Sequence, residues 1–467
     1  MEKTYQPVLF AVILLAAVVL LDAGREKITG KDVEDIVLAE DIRENILEDA
    51  PTSERSERAS LNNPLADSVL QAPPSGGNTQ GAACTSTSLL QYVMERKSAG
   101  NVFPIPLNTY VGPVAMNKNL VAFSTYDDSY QNNVLYIVPL GSDGKPDKQD
   151  PPPIVHTTYP IVNALDVYEN YVFWIHTRPG QYYSLDYCII TPPAKDGYQI
   201  YPHPQGDCYG QPVTLYTPPS QSNLFINPYL TTNDKYVFWE MVDTSQNPVM
   251  KTIYACAYTD ISPQKGCTNA QPLPITTKDS FATYTLQATS TNLYMHTIEI
   301  SNNQQHEKTL NYHLPTKTVT TLFDRVQSQT PSPNTIHHIE ALPLKDQQDF
   351  DMVLALDFGK SGTIVNALPV KQGKGFPPWI PFILSTPTNI FTLRAAEQEP
   401  FFSLAYEGFN DNLRTYILGL YSPTRHLQIP VRSFQSDIAI TVKANDARGN
   451  VIYAGILNNG PYHVSCS

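Results

Sequence analysis

Short runs in which apolar, aromatic and β-branched residues crowd together recur along the chain, most of them following Asn or another turn-forming residue. Seven are present: Leu120-Val121-Ala122-Phe123, Tyr171-Val172-Phe173-Trp174, Tyr236-Val237-Phe238-Trp239, Leu293-Tyr294-Met295-His296, Met352-Val353-Leu354-Ala355, Phe401-Phe402-Ser403-Leu404 and Val451-Ile452-Tyr453-Ala454. Counted at the second residue of each run, the steps are 51, 65, 57, 59, 49 and 50. Runs this short, rich in strand formers and bounded by turn residues, predict strands rather than helices. Each step holds three further strand-like runs. In the third repeat these are Asn223–Leu230 ahead of the Tyr236 run, then Thr252–Tyr258 and Gln271–Thr276. Four strands per unit of about 40 to 50 residues is the pattern of a β-propeller blade.

The predicted fold is therefore all-β: a seven-bladed β-propeller of four-stranded blades over residues 84–467, with six or eight blades if one run is misassigned. The last repeat (Ser436–Lys443, Asn450–Ile456, Pro461–Cys466) offers only three strands. An N-terminal strand is expected to complete it, closing the ring and removing an exposed sheet edge. Val102-Phe103-Pro104-Ile105-Pro106-Leu107 fits that slot, because it resembles Pro272–Ile275 and Leu427–Val431 in the outer position of other repeats. The alternatives are a closing strand at Ser86–Val93 or a short helix inserted at Leu89–Lys97.

Six cysteines follow the same repeat. Cys188, Cys256 and Cys466 each end the third strand of a repeat, while Cys208 and Cys267 each precede a fourth strand. Position thus pairs Cys188 with Cys208 and Cys256 with Cys267, leaving Cys84 for Cys466. An even set of cysteines suits an oxidising compartment. Val8–Leu21 is an unbroken apolar run of 14, short for a membrane span but suited to a secretory signal. Residues 1–22 are read as a signal peptide, or as a signal anchor if uncleaved, so the expected location is secreted or extracellular, with single-pass anchorage or a periplasmic site as alternatives. No Asn stands in an acceptor triplet for N-glycosylation.

At residue level the Tyr-Val-Phe-Trp runs resemble the Tyr-Trp-Thr-Asp strand of lipoprotein-receptor-type extracellular propellers, and the whole is similar to TolB-like periplasmic propellers. Those resemblances imply the fold and carry no site residue over.

Charge sharpens the domain picture. Residues 23–83 form an acidic arm and a Ser/Pro/Gly-rich linker: 12 acidic and 6 basic side chains fall between Ala23 and Gln71, and the chain totals 44 acidic against 31 basic. A net charge of -13 excludes a nucleic-acid groove as the main partner, and a membrane enters only if the N-terminal segment stays uncleaved.

Catalytic motifs are missing from the linear sequence. His306-Glu307 is half of a zincin motif, and Gly359-Lys360-Ser361-Gly362 is out of register for a nucleophile elbow or a phosphate loop. His337 and His338, adjacent in a predicted strand, are expected to point to opposite faces. Loops joining second and third strands share one face of a propeller, and they hold Asp127, Asp128, Asp243, Glu299, Asp357, Glu407 and Asp411 with His176 and Arg178, flanked by Tyr126, Tyr182 and Phe409. No metal or cofactor is assigned, although such carboxylates would suit Ca²⁺ or a cationic partner. The expected function is a secreted, disulfide-stabilised binding or scaffold module for an extracellular protein or glycan. The alternative is a propeller enzyme, of polysaccharide lyase or hydrolase type, with acid and base from different blades.

Overall fold

Strand pairing in the computed structural model follows the sequence repeat closely. The structure describes 84–96, 109–127 and then, with interruptions at connections, the strands onward to 466. These residues belong to a unit spanning Leu65–Ser467. Residues 1–83 and 97–108 lie outside the described residues, and with them the signal segment, the acidic arm and the Val102–Leu107 strand.

Among the described residues seven antiparallel sheets of four or five strands succeed one another in chain order, and a two-stranded pair, Ile261–Ser262 with Gly266–Cys267, falls within the third repeat. The first contains Thr109–Met116, Leu120–Asp127, Asn132–Pro139 and Ile154–His156, and the second Val162–Tyr168, Tyr171–His176, Ser184–Ile189 and Val213–Tyr216. The third contains Leu224–Thr232, Tyr236–Asp243, Met250–Ala257 and Gln271–Lys278, and the fourth Phe281–Ala288, Asn292–Ser301, Gln304–His313 and Thr318–Gln327. The fifth contains Thr335–Pro343, Phe350–Gly359 and Gly362–Lys371, against which both Lys374–Gly375 and Ile380–Ile383 pair. The sixth contains Ile390–Gln398, Phe401–Asn410, Leu413–Ser422 and Leu427–Ser436. The seventh contains Ile440–Asn445, Val451–Gly455, Pro461–Cys466 and, on its outer edge, Cys84–Ser88 from the far end of the chain. This is an all-β, propeller-like fold.

The strand that completes the seventh sheet is thus Cys84–Ser88, a correction to the expectation of Val102–Leu107. Its register sets Cys84 opposite Cys466. Helix Leu89–Arg96 follows at once, close to the inserted helix held open as an alternative. Leu89, Leu90 and Val93 are buried against Val121, Phe123, Val138 and Leu140 of the first sheet.

Burial explains why the second strands carry the clearest signal. Tyr171–His176 and Tyr236–Asp243 are buried at nearly every position, since both faces of an inner strand are covered by neighbouring sheets and the strand reads as a continuous apolar run. Trp174 packs with Ala122, Leu135 and Ile137 of the preceding sheet, and Trp239 with Phe173, Ile175 and Leu185. The outer strand Gln271–Lys278 is largely exposed and carries two prolines, which an edge strand tolerates. First strands of successive sheets lie against each other, and Ile440–Asn445 lies against Thr109–Met116.

In every sheet the pairing of first and second strands is interrupted by a register shift, at Val111/Val114, Val162/Ala164, Asn227/Leu230, Thr283/Thr285, Ile336/His338, Ile390/Thr392 and Val442/Ala444. An unpaired residue of this kind bends a strand and increases its twist. His337 is the residue skipped in the fifth sheet, so the strict alternation assumed for His337 and His338 does not hold there.

Polar ties join the ends of the sheets where first and second strands meet. Asn117 Nδ2 donates to the Glu169 carbonyl at 2.9 Å, and Asn233 Nδ2 to the Thr289 carbonyl at 2.7 Å. Thr289, Asn292 and Tyr294 of the fourth sheet all donate to Asp351 Oδ2 of the fifth, at 2.8, 2.6 and 2.7 Å. Two disulfides, Cys188–Cys208 and Cys256–Cys267, form as position predicted. Among the described residues no helix is long and apolar enough to cross a membrane.

Candidate functional site

Opposite the turns that join first and second strands are the strand ends where second strands run out, and the loop residues expected from the sequence fall there. Asp127, His176 and Asp243 are the last residues of their second strands, and Glu299, Asp357 and Glu407 lie within the final residues of theirs. Each of six successive second strands therefore carries a titratable residue at or near its C-terminal end. Asp128, Arg178, Asp411 and Tyr182 fall outside the described residues.

Two members of this set have defined surroundings. Asp243 is half-buried and accepts hydrogen bonds from the Ser245 amide at 2.9 Å, the Ser245 hydroxyl at 2.6 Å and Gln246 Nε2 at 3.2 Å. The Ser245 hydroxyl and amide lower its carboxyl from the ordinary value. His176 differs from its expected place at a loop surface: its side chain is 1% exposed, and Nε2 lies 2.8 Å from Asp186 Oδ2. Ser184 Oγ donates to Asp186 Oδ1 at 3.3 Å and lies 3.2 Å from Thr217 Oγ1. The serine engages the carboxylate rather than the imidazole, so Ser184, His176 and Asp186 are not ordered as nucleophile, base and orienting acid.

Several buried polar groups of these sheets lie outside the set of expected site residues. Glu240 is fully buried and accepts from Asn227 Nδ2 and from Thr283 Oγ1 of the next sheet, both at 2.6 Å. Glu307, also fully buried, receives Arg325 Nε at 3.1 Å and Nη2 at 2.5 Å, while Gln305 Nε2 donates to its other oxygen. His296 Nδ1 lies 2.8 Å from Thr309 Oγ1. Glu240 had a signal: it is the one charged residue inside Tyr-Val-Phe-Trp-Glu-Met-Val. Among the described residues no group of three or more His, Cys, Asp or Glu gathers in a way that would hold a metal ion.

No known protein family matches the chain, and no curated protein matches it. Among solved structures it is similar to a prolyl endopeptidase, at 12% identity and a TM-score of 0.41, over 77% of this chain and 47% of that one. A puromycin hydrolase aligns at 10% identity and a TM-score of 0.48, over 78% and 51%. The β-propeller domain of the Trilobed protease from Pyrococcus furiosus aligns at 7% identity and a TM-score of 0.43, over 75% and 90%. The chain spans about half the length of the first two. The solved structures it is similar to are peptidases and a hydrolase rather than binding or scaffold modules, against the expectation drawn from the sequence.

Proposed function

We propose that the chain is a propeller hydrolase whose acid and base groups come from different sheets. The observation that carries this reading is the delivery of Asp127, His176, Asp243, Glu299, Asp357 and Glu407 to one end of six successive second strands. An ionised carboxylate such as Asp243 suits a base or a charge-stabilising role, and a second carboxyl from another sheet would serve as the acid. His176, buried against Asp186, would act from beneath the carboxylates.

The same reading takes the fold as a closed ring of seven blades, fastened at the seventh by Cys84–Ser88 and by a disulfide between Cys84 and Cys466. Support comes from the contact of Ile440–Asn445 with Thr109–Met116 and from the opposed register of the two cysteines. The two formed disulfides favour secretion into an oxidising compartment.

Turnover on a panel of peptides and oligosaccharides is the test, peptides first because the similar structures include peptidases. Asp243→Asn, Glu299→Gln, Asp357→Asn and Glu407→Gln are measured beside the parent. Loss of a positioned acid or base is expected to reduce the rate about 100-fold or more, with unfolding midpoints unchanged. No turnover on any substrate, or full activity in all four variants, rejects the reading.

A further inference from the structure

At the opposite end of the molecule, between the second and third sheets, titratable groups gather that the proposed acid–base set does not include. Asp166 lies on the first strand of the second sheet, two residues beyond Ala164, which packs into the seam with Val237 and Trp239. Its Oδ2 accepts a hydrogen bond at 3.0 Å from Thr232 Oγ1 of the third sheet, and its Oδ1 accepts one at 2.8 Å from the Val167 amide. Aromatic rings close the seam beside it. Tyr258, from the single turn Tyr258–Asp260, stacks on Tyr168 at 5.2 Å and leans on Tyr171 at 5.2 Å and Phe173 at 6.0 Å.

Three donors reach the carboxylate, the Val167 amide and both the hydroxyl and the amide of Thr232, but the rings offer it little solvation. Burial raises the Asp166 carboxyl to about 6, against the lowering effect of its hydrogen bonds. Burial, with the charge of Asp166 next in importance, also pushes the Tyr258 hydroxyl far above its ordinary value. The titratable and charged groups around the seam are Tyr168 on the same strand, Tyr171 across the turn, Tyr258 and Asp260 on the neighbouring turn, and the exposed turn residues Glu169, Asp234 and Lys235. Glu169 and Asp234 already act on Tyr168, so an ionised Asp166 adds negative charge where two carboxylates stand nearby.

We propose that Asp166 is a proton-operated latch between the second and third sheets. With the proton on, the carboxyl stays in the seam and the sheets remain shut; with the proton off, the carboxylate draws water in and the seam opens locally. The direction follows from linkage. A carboxyl whose folded value lies above its unfolded one contributes stability that is complete below about pH 4 and is lost as pH rises through about 6. The latch is independent of any catalytic role.

Hydrogen exchange of the amides of Val162–Tyr168 and Leu224–Thr232, corrected for intrinsic rates, tests it at about pH 5 and about pH 7.5. The parent is expected to lose about 10-fold of its protection over that interval, part of the contribution being already lost at pH 5. Asp166→Asn, which carries no charge at either pH, is expected to keep its protection at both. Thr232→Val, which removes a donor to the carboxylate, is expected to deepen the loss and supplies a reading should the Asn variant not fold. Protection independent of pH in the parent, an undiminished fall in Asp166→Asn, or a Thr232→Val fall no steeper than the parent's overturns the latch.

Discussion

The Tyr294 hydroxyl donates to Asp351 Oδ2 across 2.7 Å, tying the second strand of the fourth sheet to that of the fifth. Tyr294 is fully buried and Asp351 is 1% exposed. The same carboxylate oxygen also satisfies Thr289 and Asn292. Asp351→Ala leaves three buried donors without that acceptor and is expected to cost about 3 kcal/mol or more, whereas Tyr294→Phe removes one neutral donor and is expected to cost about 1 to 2 kcal/mol. Urea unfolding of both variants and of the double variant checks this. Because the residues touch, the double variant should lose less than the sum.

Alkali should act on this protein through its tyrosines. Burial, with the Asp351 charge, holds the Tyr294 hydroxyl well above 10, and burial pushes Tyr187 up to about 12. Each folded value lies above the unfolded one, so the contribution is complete below pH 10 and is lost as pH rises beyond it. Phenolate absorbance followed with pH should show a prompt group of tyrosines and a delayed group that ionises only with unfolding. Simultaneous ionisation of all of them, with the fold intact, would contradict the burial described above.

Gly266 has no room for a side chain. A Cβ there would stand 2.3 Å from the Thr214 carbonyl oxygen and 2.5 Å from that of Leu215, and the residue's φ is +66°. The turn carrying Gly266 and Cys267 presses on the outer strand Val213–Tyr216 of the preceding sheet. Gly266→Ala is expected to cost at least about 2 kcal/mol, from the left-handed backbone and from the collision with backbone atoms that cannot rotate away. Thermal unfolding of the variant reads this directly.

Helix Leu89–Arg96 should be needed for stability rather than decorative. Leu89 and Val93 are both 0% exposed against the first sheet. Leu89→Ala is expected to cost about 2 to 4 kcal/mol as lost burial plus a cavity, while an exchange at an exposed position would cost little. Denaturant midpoints of the variant and parent decide it.

Second strands such as Tyr236–Asp243 were legible because sheets on both sides bury them, and burial on both faces leaves an unbroken apolar run in the sequence. Cys84–Ser88 was legible only in part, since Cys-Thr-Ser-Thr-Ser shows no apolar alternation, and Val102–Leu107 is the more strand-like candidate beside the alternative Ser86–Val93. The disulfide positions were legible because they repeat one geometry in two sheets. The ties at Asp166 and Asp351 join residues 57 to 66 positions apart, and only folding reveals which polar side chains meet. Asp243 was found by its place in a loop, yet its engagement with Ser245 and Gln246 depends on local turn geometry that spacing alone does not specify.

The pairing of Cys84–Ser88 with Pro461–Cys466 joins segments about 380 residues apart along the chain. During synthesis the first of these emerges long before its partner exists, so the seventh sheet cannot be finished until the six sheets between them have been made. A strand kept waiting with open hydrogen-bonding edges is a hazard when it is apolar, because it recruits other chains. Cys-Thr-Ser-Thr-Ser is polar, and the composition that hides this strand in the sequence also lets it wait in water without aggregating.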